Sequence, residues 1–327
     1  MKRREFIAGL GGAATWSFAA DAQPQQLRHI GVLVVSAKDD PDTDARLAGF
    51  RQGLERLGWI ESRNIRIDYR FADSQADRFG PLAKELVALQ PEVILAHSTP
   101  IAAALQRESR AIPIVFVSVS DPIGSGFIAS LARPGGNLTG LLLYEEGITG
   151  KWLAMLKEIM PSLGHVAAIG NPKTTPYDYF LRSARSAASS LAIEVVSNPV
   201  ESGPDIERAI QSLARVANSG LLVLPDSTNI AHRDLLIMLA AQHRLPAVYF
   251  ARPFVVAGGL MSYGTDVVDA FRQAASYVNG ILRGASPADL PVQAPTKYET
   301  TVNLNAARAL GLDVPPSMLV RADEMIQ

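Results

Sequence analysis

Cysteine is missing from all 327 residues. Without a thiol there is no cysteine nucleophile, no thiolate metal site and no disulfide, and such a chain also suits an oxidising compartment. Charge is sparse and balanced. The 31 Lys and Arg against 32 Asp and Glu give a formal charge of −1, and nothing in that balance points to nucleic acid or to an anionic membrane surface. The five His are scattered, and no pair has metal-ligand spacing. Neither a metal nor a cofactor is expected. What remains is an ordinary globular composition, 48% hydrophobic, with length enough for two domains.

The first residues read as an address. Lys2-Arg3-Arg4-Glu5-Phe6-Ile7 is a basic start with a twin-arginine pair, and the run from Ile7 to Ala20 is too short and too weakly apolar to span a bilayer. Ala20-Asp21-Ala22 places small residues where a signal peptidase reads. Residues 1–22 are therefore expected to be a signal peptide cleaved after Ala22, delivering the protein to the periplasm. No cysteine follows the run, so a lipid anchor is chemically excluded. Gly9-Leu10-Gly11-Gly12 imitates a dinucleotide-binding loop, but no strand precedes it.

From Ile30 onward, short apolar runs alternate with helical patterns. Ile30–Val35, Val93–Ala96 and Ile112–Val117 are runs of buried-strand type, whereas Ile65, Ile67 and Tyr69 alternate with charged residues as in an edge strand. Leu47, Phe50, Leu54 and Leu57 recur at helical spacing, and Gly58 ends that helix. The same alternation resumes after the Pro134-Gly135-Gly136-Asn137 turn, with strands at Val166–Gly170, Ile193–Ser197, Leu221–Leu224 and Ala247–Phe250. Short connections of this kind predict α/β architecture with two doubly wound parallel-sheet lobes joined by a hinge. The expected division is residues 28–143 plus 258–290 for lobe 1 and residues 144–257 plus 296–327 for lobe 2. The glycine-softened stretch Val255–Gly259 serves as a crossing.

Open parallel sheets bind ligands at the carboxyl ends of their strands, which selects the candidate residues. Ser98 and Thr99 open the helix after Val93–Ala96, where a hydroxyl is expected to cap the helix and to meet a ligand anion as well, and Pro100 fits the first turn. Ser36 and Ser118 end neighbouring strands. Asp121, before Pro122, either orients a ligand or stabilises a turn. Tyr144, Tyr249 and Tyr263 stand where the lobes meet, as stacking surfaces or as hinge packing. Asn171, Asp226 and Ser227 lie in strand-end loops of the second lobe. His97 beside Ser98 invites a hydrolase reading, but no nucleophile-elbow glycines surround that serine and the sequence places no third group.

Several runs together carry a resemblance: Ile112-Pro113-Ile114-Val115-Phe116, Ser120-Asp121-Pro122-Ile123-Gly124, residues 130–140 (SLARPGGNLTG), and Val302-Asn303-Leu304-Asn305 with Arg321-Ala322-Asp323-Glu324. They resemble the periplasmic solute-binding proteins of ABC importers, in the tryptophan-binding-like branch. The resemblance implies a type I periplasmic binding fold and no catalysis. It also implies a monomer whose partners are a small solute, amino-acid-like or otherwise carboxylate-bearing, and an ABC permease in the inner membrane. Asn171-Pro172 matches the branch, whereas Lys173-Thr174-Thr175-Pro176-Tyr177 departs from the glycine-acidic loop of its aromatic amino-acid binders. A ligand-sensing partner of a signalling receptor would use the same fold; a DNA-binding version would need a helix-turn-helix where the leader stands.

Overall fold

The computed structural model describes residues 27–145 and 147–327; the expected leader lies outside the described residues. The apolar runs of the first half become β1 (Arg28–Val34), β3 (Val93–His97) and β4 (Ile114–Val119), with β2 (Ile65–Phe71) at the edge its alternation predicts, and β5 (Leu138–Leu142) joins the same sheet after the Pro134–Asn137 turn. All pair in parallel, in the order β2-β1-β3-β4-β5. Because successive side chains of a strand point to opposite faces, the continuous apolar runs feed two cores. Ile30, Val32 and Val34 pack beneath α1 (Pro41–Arg56), whereas Leu33, Val35, Ile94 and Ala96 pack beneath α2 (Ala76–Ala88) and α3 (Thr99–Glu108).

The second lobe holds α4 (Ile148–Ile159), β6 (His165–Gly170), α5 (Tyr177–Ala188), β7 (Glu194–Pro199), α6 (Gly203–Leu213) and β8 (Ser219–Val223). It continues through α7 (Ser227–Ala231), α8 (Arg233–Gln242), β9 (Ala247–Tyr249), α9 (Arg252–Val256) and β10 (Met261–Thr265). The chain then returns to the first lobe as α10 (Val267–Leu282) and comes back as β11 (Tyr298–Asn303), α11 (Leu304–Leu310), α12 (Pro316–Arg321) and β12 (Glu324–Ile326). The second sheet runs β12-β11-β10-β9-β8-β6-β7 and is parallel except where β11 meets β10 antiparallel.

One expected boundary shifts. Residues 258–265 belong with the second lobe, since Met261 and Ser262 pair with β9 and the whole of β10 pairs with β11. The glycines at 258 and 259 turn α9 into β10 within that lobe, and the crossing falls between Thr265 and Val267. The other crossings lie beyond Leu142 and before Tyr298. Before the last of them the chain stays on lobe 1, where Val292 N donates to Leu131 O at 2.7 Å and Leu142 N to Gln293 O at 2.9 Å.

α10 closes lobe 1 by packing along α1 at glycine distance. A Cβ at Gly53 would lie 2.6 Å from the Arg272 carbonyl oxygen and 2.7 Å from the Ala275 Cβ, so only glycine permits the approach. Gly49 and Gly53 share the buried stripe of α1 with Leu54 and Phe50. Each large apolar side chain buried there contributes about 1.5–3 kcal/mol.

Candidate ligand-binding site

In lobe 1 the strand order reverses between β1 and β3, and in lobe 2 between β6 and β8. The loops at the carboxyl ends of those strands meet around a cleft of about 680 Å³, its open mouth included. Lobe 1 contributes Arg46, His97, Ser98, Thr99, Ser118 and Ser120; lobe 2 contributes Thr174, Thr175, Asp226 and Ser227. Tyr144 and Thr265 line it at the crossings.

The lobe 1 wall is built from backbone that a non-glycine residue rarely adopts. Ser98 has φ +90° and ψ 159°, and Ser118 has φ +61°, at the place where the β4–β5 register slips between Val117 and Val119. The slip leaves Ser118 without a partner in the ladder, and an unpaired residue of that kind can turn its side chain out of the regular alternation. Each such residue costs about 1–3 kcal/mol, and both stand in the cleft wall. Ser98 occupies the N-cap position of α3, yet its hydroxyl makes no capping bond, contrary to the expectation. The positive φ removes it from the extended geometry in which a capping oxygen reaches back to the first turn. Its Oγ is buried with no partner among the described residues, as are Ser36 Oγ, His97 Nδ1 and Ser227 Oγ. Thr99 acts as a tie: its Oγ1 accepts from Ser120 N at 3.0 Å and donates to Ser120 O at 3.4 Å, fixing two strand-end loops together.

The lobe 2 wall is pinned by Asp226. Its Oδ2 accepts from Thr174 Oγ1 at 2.6 Å and from Asn171 N at 3.1 Å, and its Oδ1 accepts from Asn229 N at 3.0 Å, capping α7. Burial raises its pKa, and these donors oppose the rise. Thr175 Oγ1 donates to Pro225 O at 2.7 Å.

Burial and, secondarily, the neighbouring Arg46 cation hold the His97 pKa well below the usual imidazole range. The ring stands edge-on to Phe271, with centroids 5.1 Å apart, and among the described residues no carboxylate engages it, so nothing completes a hydrolytic triad with Ser98. A histidine whose folded pKa is depressed stays neutral in the fold while the unfolded chain takes up a proton below about pH 6.5. Stability is therefore expected to fall as pH drops below that value, by up to about 1.4 kcal/mol per unit. His97→Gln should flatten the slope between pH 6.5 and 5, read from melting curves; an unchanged slope would refute the assignment.

The cleft gathers six of the eleven expected residues: Ser98, Thr99, Ser118, Tyr144, Asp226 and Ser227. Ser36 is buried directly after the lining Val35. The other four lie elsewhere. Asp121 spends its Oδ1 on Gly124 N at 2.9 Å, the turn-stabilising alternative. Asn171 supports the wall from behind, donating from Nδ2 to Thr228 Oγ1 at 2.9 Å. Tyr249 stacks on Phe254 in the lobe 2 core, and Tyr263 stacks on Tyr298 along a separate groove, because alternation along β9 and β10 turns both rings away from the cleft. Tyr144 does line the cleft, with its hydroxyl donating to the Phe250 carbonyl across the crossing.

Arg46, Ser120, Thr174, Thr175 and Thr265 were not expected there. Arg46 had a readable signal. It precedes Gly49 by three residues and Phe50 by four, so it sits on the buried stripe of α1, where an arginine needs a reason.

A model for a family described as ABC transporter substrate binding protein matches residues 29–326. A tyrosine-binding protein of Clostridioides difficile (strain R20291) is 27% identical over 293 residues, 89% of this chain and 83% of that protein. Among solved structures, a conserved domain protein from Vibrio cholerae superposes with a TM-score of 0.85 at 28% identity, over 92% of this chain and 100% of that one. A Streptococcus pneumonia ABC domain in complex with L-Trp gives 0.85 at 23% identity, over the same shares. With a two-lobed cleft at facing switch points and a family match over nearly every described residue, the chain belongs to the ABC transporter substrate binding proteins.

Proposed function

We propose that the protein is a periplasmic receptor that clamps a small carboxylate-bearing solute between its lobes and delivers it to an inner-membrane permease. The observation that carries this reading is the set of buried polar atoms without a partner among the described residues, Ser98 Oγ, His97 Nδ1 and Ser227 Oγ, on residues that line one cleft from both lobes together with Arg46. Buried polar atoms are normally hydrogen-bonded, and a guanidinium is suited to bidentate recognition of a carboxylate. A solute touching both walls favours the closed arrangement by the contacts that exist only there, and the closed shape is what a permease would read. The tyrosine-binding and L-Trp-bound relatives support a ligand with a carboxylate.

A thermal-shift panel of carboxylates, neutral sugars and metal ions tests the reading. A carboxylate at a hundredfold excess over its Kd should add about 2.7 kcal/mol, a shift of several degrees. Stabilisation by sugars alone would overturn the carboxylate assignment. The same protein recovered from periplasmic extract should begin at Gln23; recovery only from cytosol, with Met1 intact, would overturn the location.

A further inference from the structure

The charges that the cleft leaves free define the ligand class more narrowly, an inference that rests on the solute-binding reading above. Arg46 is half-buried in the wall and makes no ion pair within 4 Å among the described residues. Its acidic neighbours, Asp42 first and then Asp40, act at longer range and offset only part of the effect of burial. Asp40 is occupied in capping α1, accepting from Asp42 N at 3.2 Å and from Thr43 Oγ1 at 3.1 Å. Asp226 is the only acid among the described residues that line the cleft, and its position is the opposite one. Thr174 and Asn171 fill Oδ2, Asn229 takes Oδ1, and the Thr228 N–H also bonds the carboxylate. An ionised carboxylate has about four acceptor sites, so those of Asp226 are used up by its own lobe.

We propose that the cleft selects carboxylates lacking an α-ammonium group over the corresponding zwitterionic amino acids. An ammonium carried between the lobes loses its hydration, and the partner that best offsets that loss is a carboxylate with free lone pairs. To reach Asp226 it would have to displace Thr174 or Asn171 and release the loop those residues hold. The carboxylate end has no such conflict, since Arg46 is uncommitted and Ser98 and Ser227 carry hydroxyls free to donate. Leu143, Phe250, Ile230 and Val267 supply apolar wall for the rest of the molecule.

The test is calorimetry at pH 7 on the full chain, after exhaustive dialysis, with pairs that differ only in the amino group. Suitable pairs are 3-phenylpropionate with L-phenylalanine, 3-(4-hydroxyphenyl)propionate with L-tyrosine, and 4-methylpentanoate with L-leucine. In each pair that binds, the acid without the amino group should bind at least about tenfold more tightly, a modest difference for one uncompensated buried charge. An amino acid that binds as tightly as its partner, or more so, overturns the selectivity while leaving the carboxylate reading in place. Failure of all the acids, in either form, overturns both.

Discussion

Arg46→Gln should weaken the binding of any carboxylate the cleft accepts by about 100-fold or more. A hydrogen bond to a charged group contributes about 1.5–3 kcal/mol, and truncating one partner of a buried charged pair costs about 2–5 kcal/mol. About 2.8 kcal/mol, a value inside both ranges, is two decades in Kd. Arg46→Lys should recover part of the loss, because it restores the charge without the planar fork that grips two oxygens. The unliganded protein is expected to gain a little stability from Arg46→Gln. Burial lowers the Arg46 pKa, and among the described residues no carboxylate pairs with it within 4 Å. Loss of affinity with no loss of melting temperature separates a binding residue from a structural one. The substitution also removes the cation beside His97, so the stability loss below pH 6.5 should become shallower. Unchanged affinity in calorimetry would remove Arg46 from the site.

Burial is legible in the sequence in a way that side-chain direction is not. Periodicity reports which residues are buried, and it marked β1, β3 and β4 of the first sheet and the edge position of β2. It also led to the strand-end loops as the binding region, which brought Ser98, Thr99, Ser118, Asp226 and Ser227 into one list. Periodicity does not report which way a strand-end side chain turns. Ser118 lines the cleft at a register slip with a positive φ, whereas Tyr249, in regular β9, stays in the core. The Gly258-Gly259 pair misled for a related reason. Glycines mark a change of chain direction, and here the change happens inside lobe 2, between α9 and β10, while the crossing at Thr265–Val267 carries no glycine. Asp121 and Asn171 belong to loops of the expected kind, but their side chains satisfy local backbone or neighbouring hydroxyls, a competition that sequence spacing does not resolve.

Trp152→Ala should be the most destabilising single truncation in the second lobe, and it should reach the cleft as well. Trp152 sits on the first helix after the crossing, fully buried, with its Nε1 donating to the Tyr263 carbonyl at 2.7 Å. Its ring meets Tyr144 edge-to-face at 5.2 Å and lies 6.4 Å from Phe180. The side chain thus joins α4 to β10 and supports the tyrosine that lines the cleft. Truncating a buried Trp costs about 3–5 kcal/mol through lost transfer energy and the cavity left behind. The Tyr263 carbonyl, deprived of its indole donor, adds a further penalty of about 1–3 kcal/mol if water does not reach it. Set against a total stability of about 5–15 kcal/mol, that is a large share. Trp152→Phe isolates the hydrogen bond, since most of the ring volume survives, and should cost less than half as much. Trp59→Ala is the control: that indole is half-buried and bonded to Asn279 Oδ1 at 3.0 Å, far along the chain from the lobe 2 core. Urea melts should show a lower midpoint for Trp152→Ala than for Trp59→Ala. Where the variant remains folded, Tyr144 loses the partner that orients it, so ligand affinity should fall although Trp152 itself does not line the cleft. A Trp152→Ala protein with unchanged midpoint and unchanged affinity would show that neither β10 nor the crossing depends on that side chain.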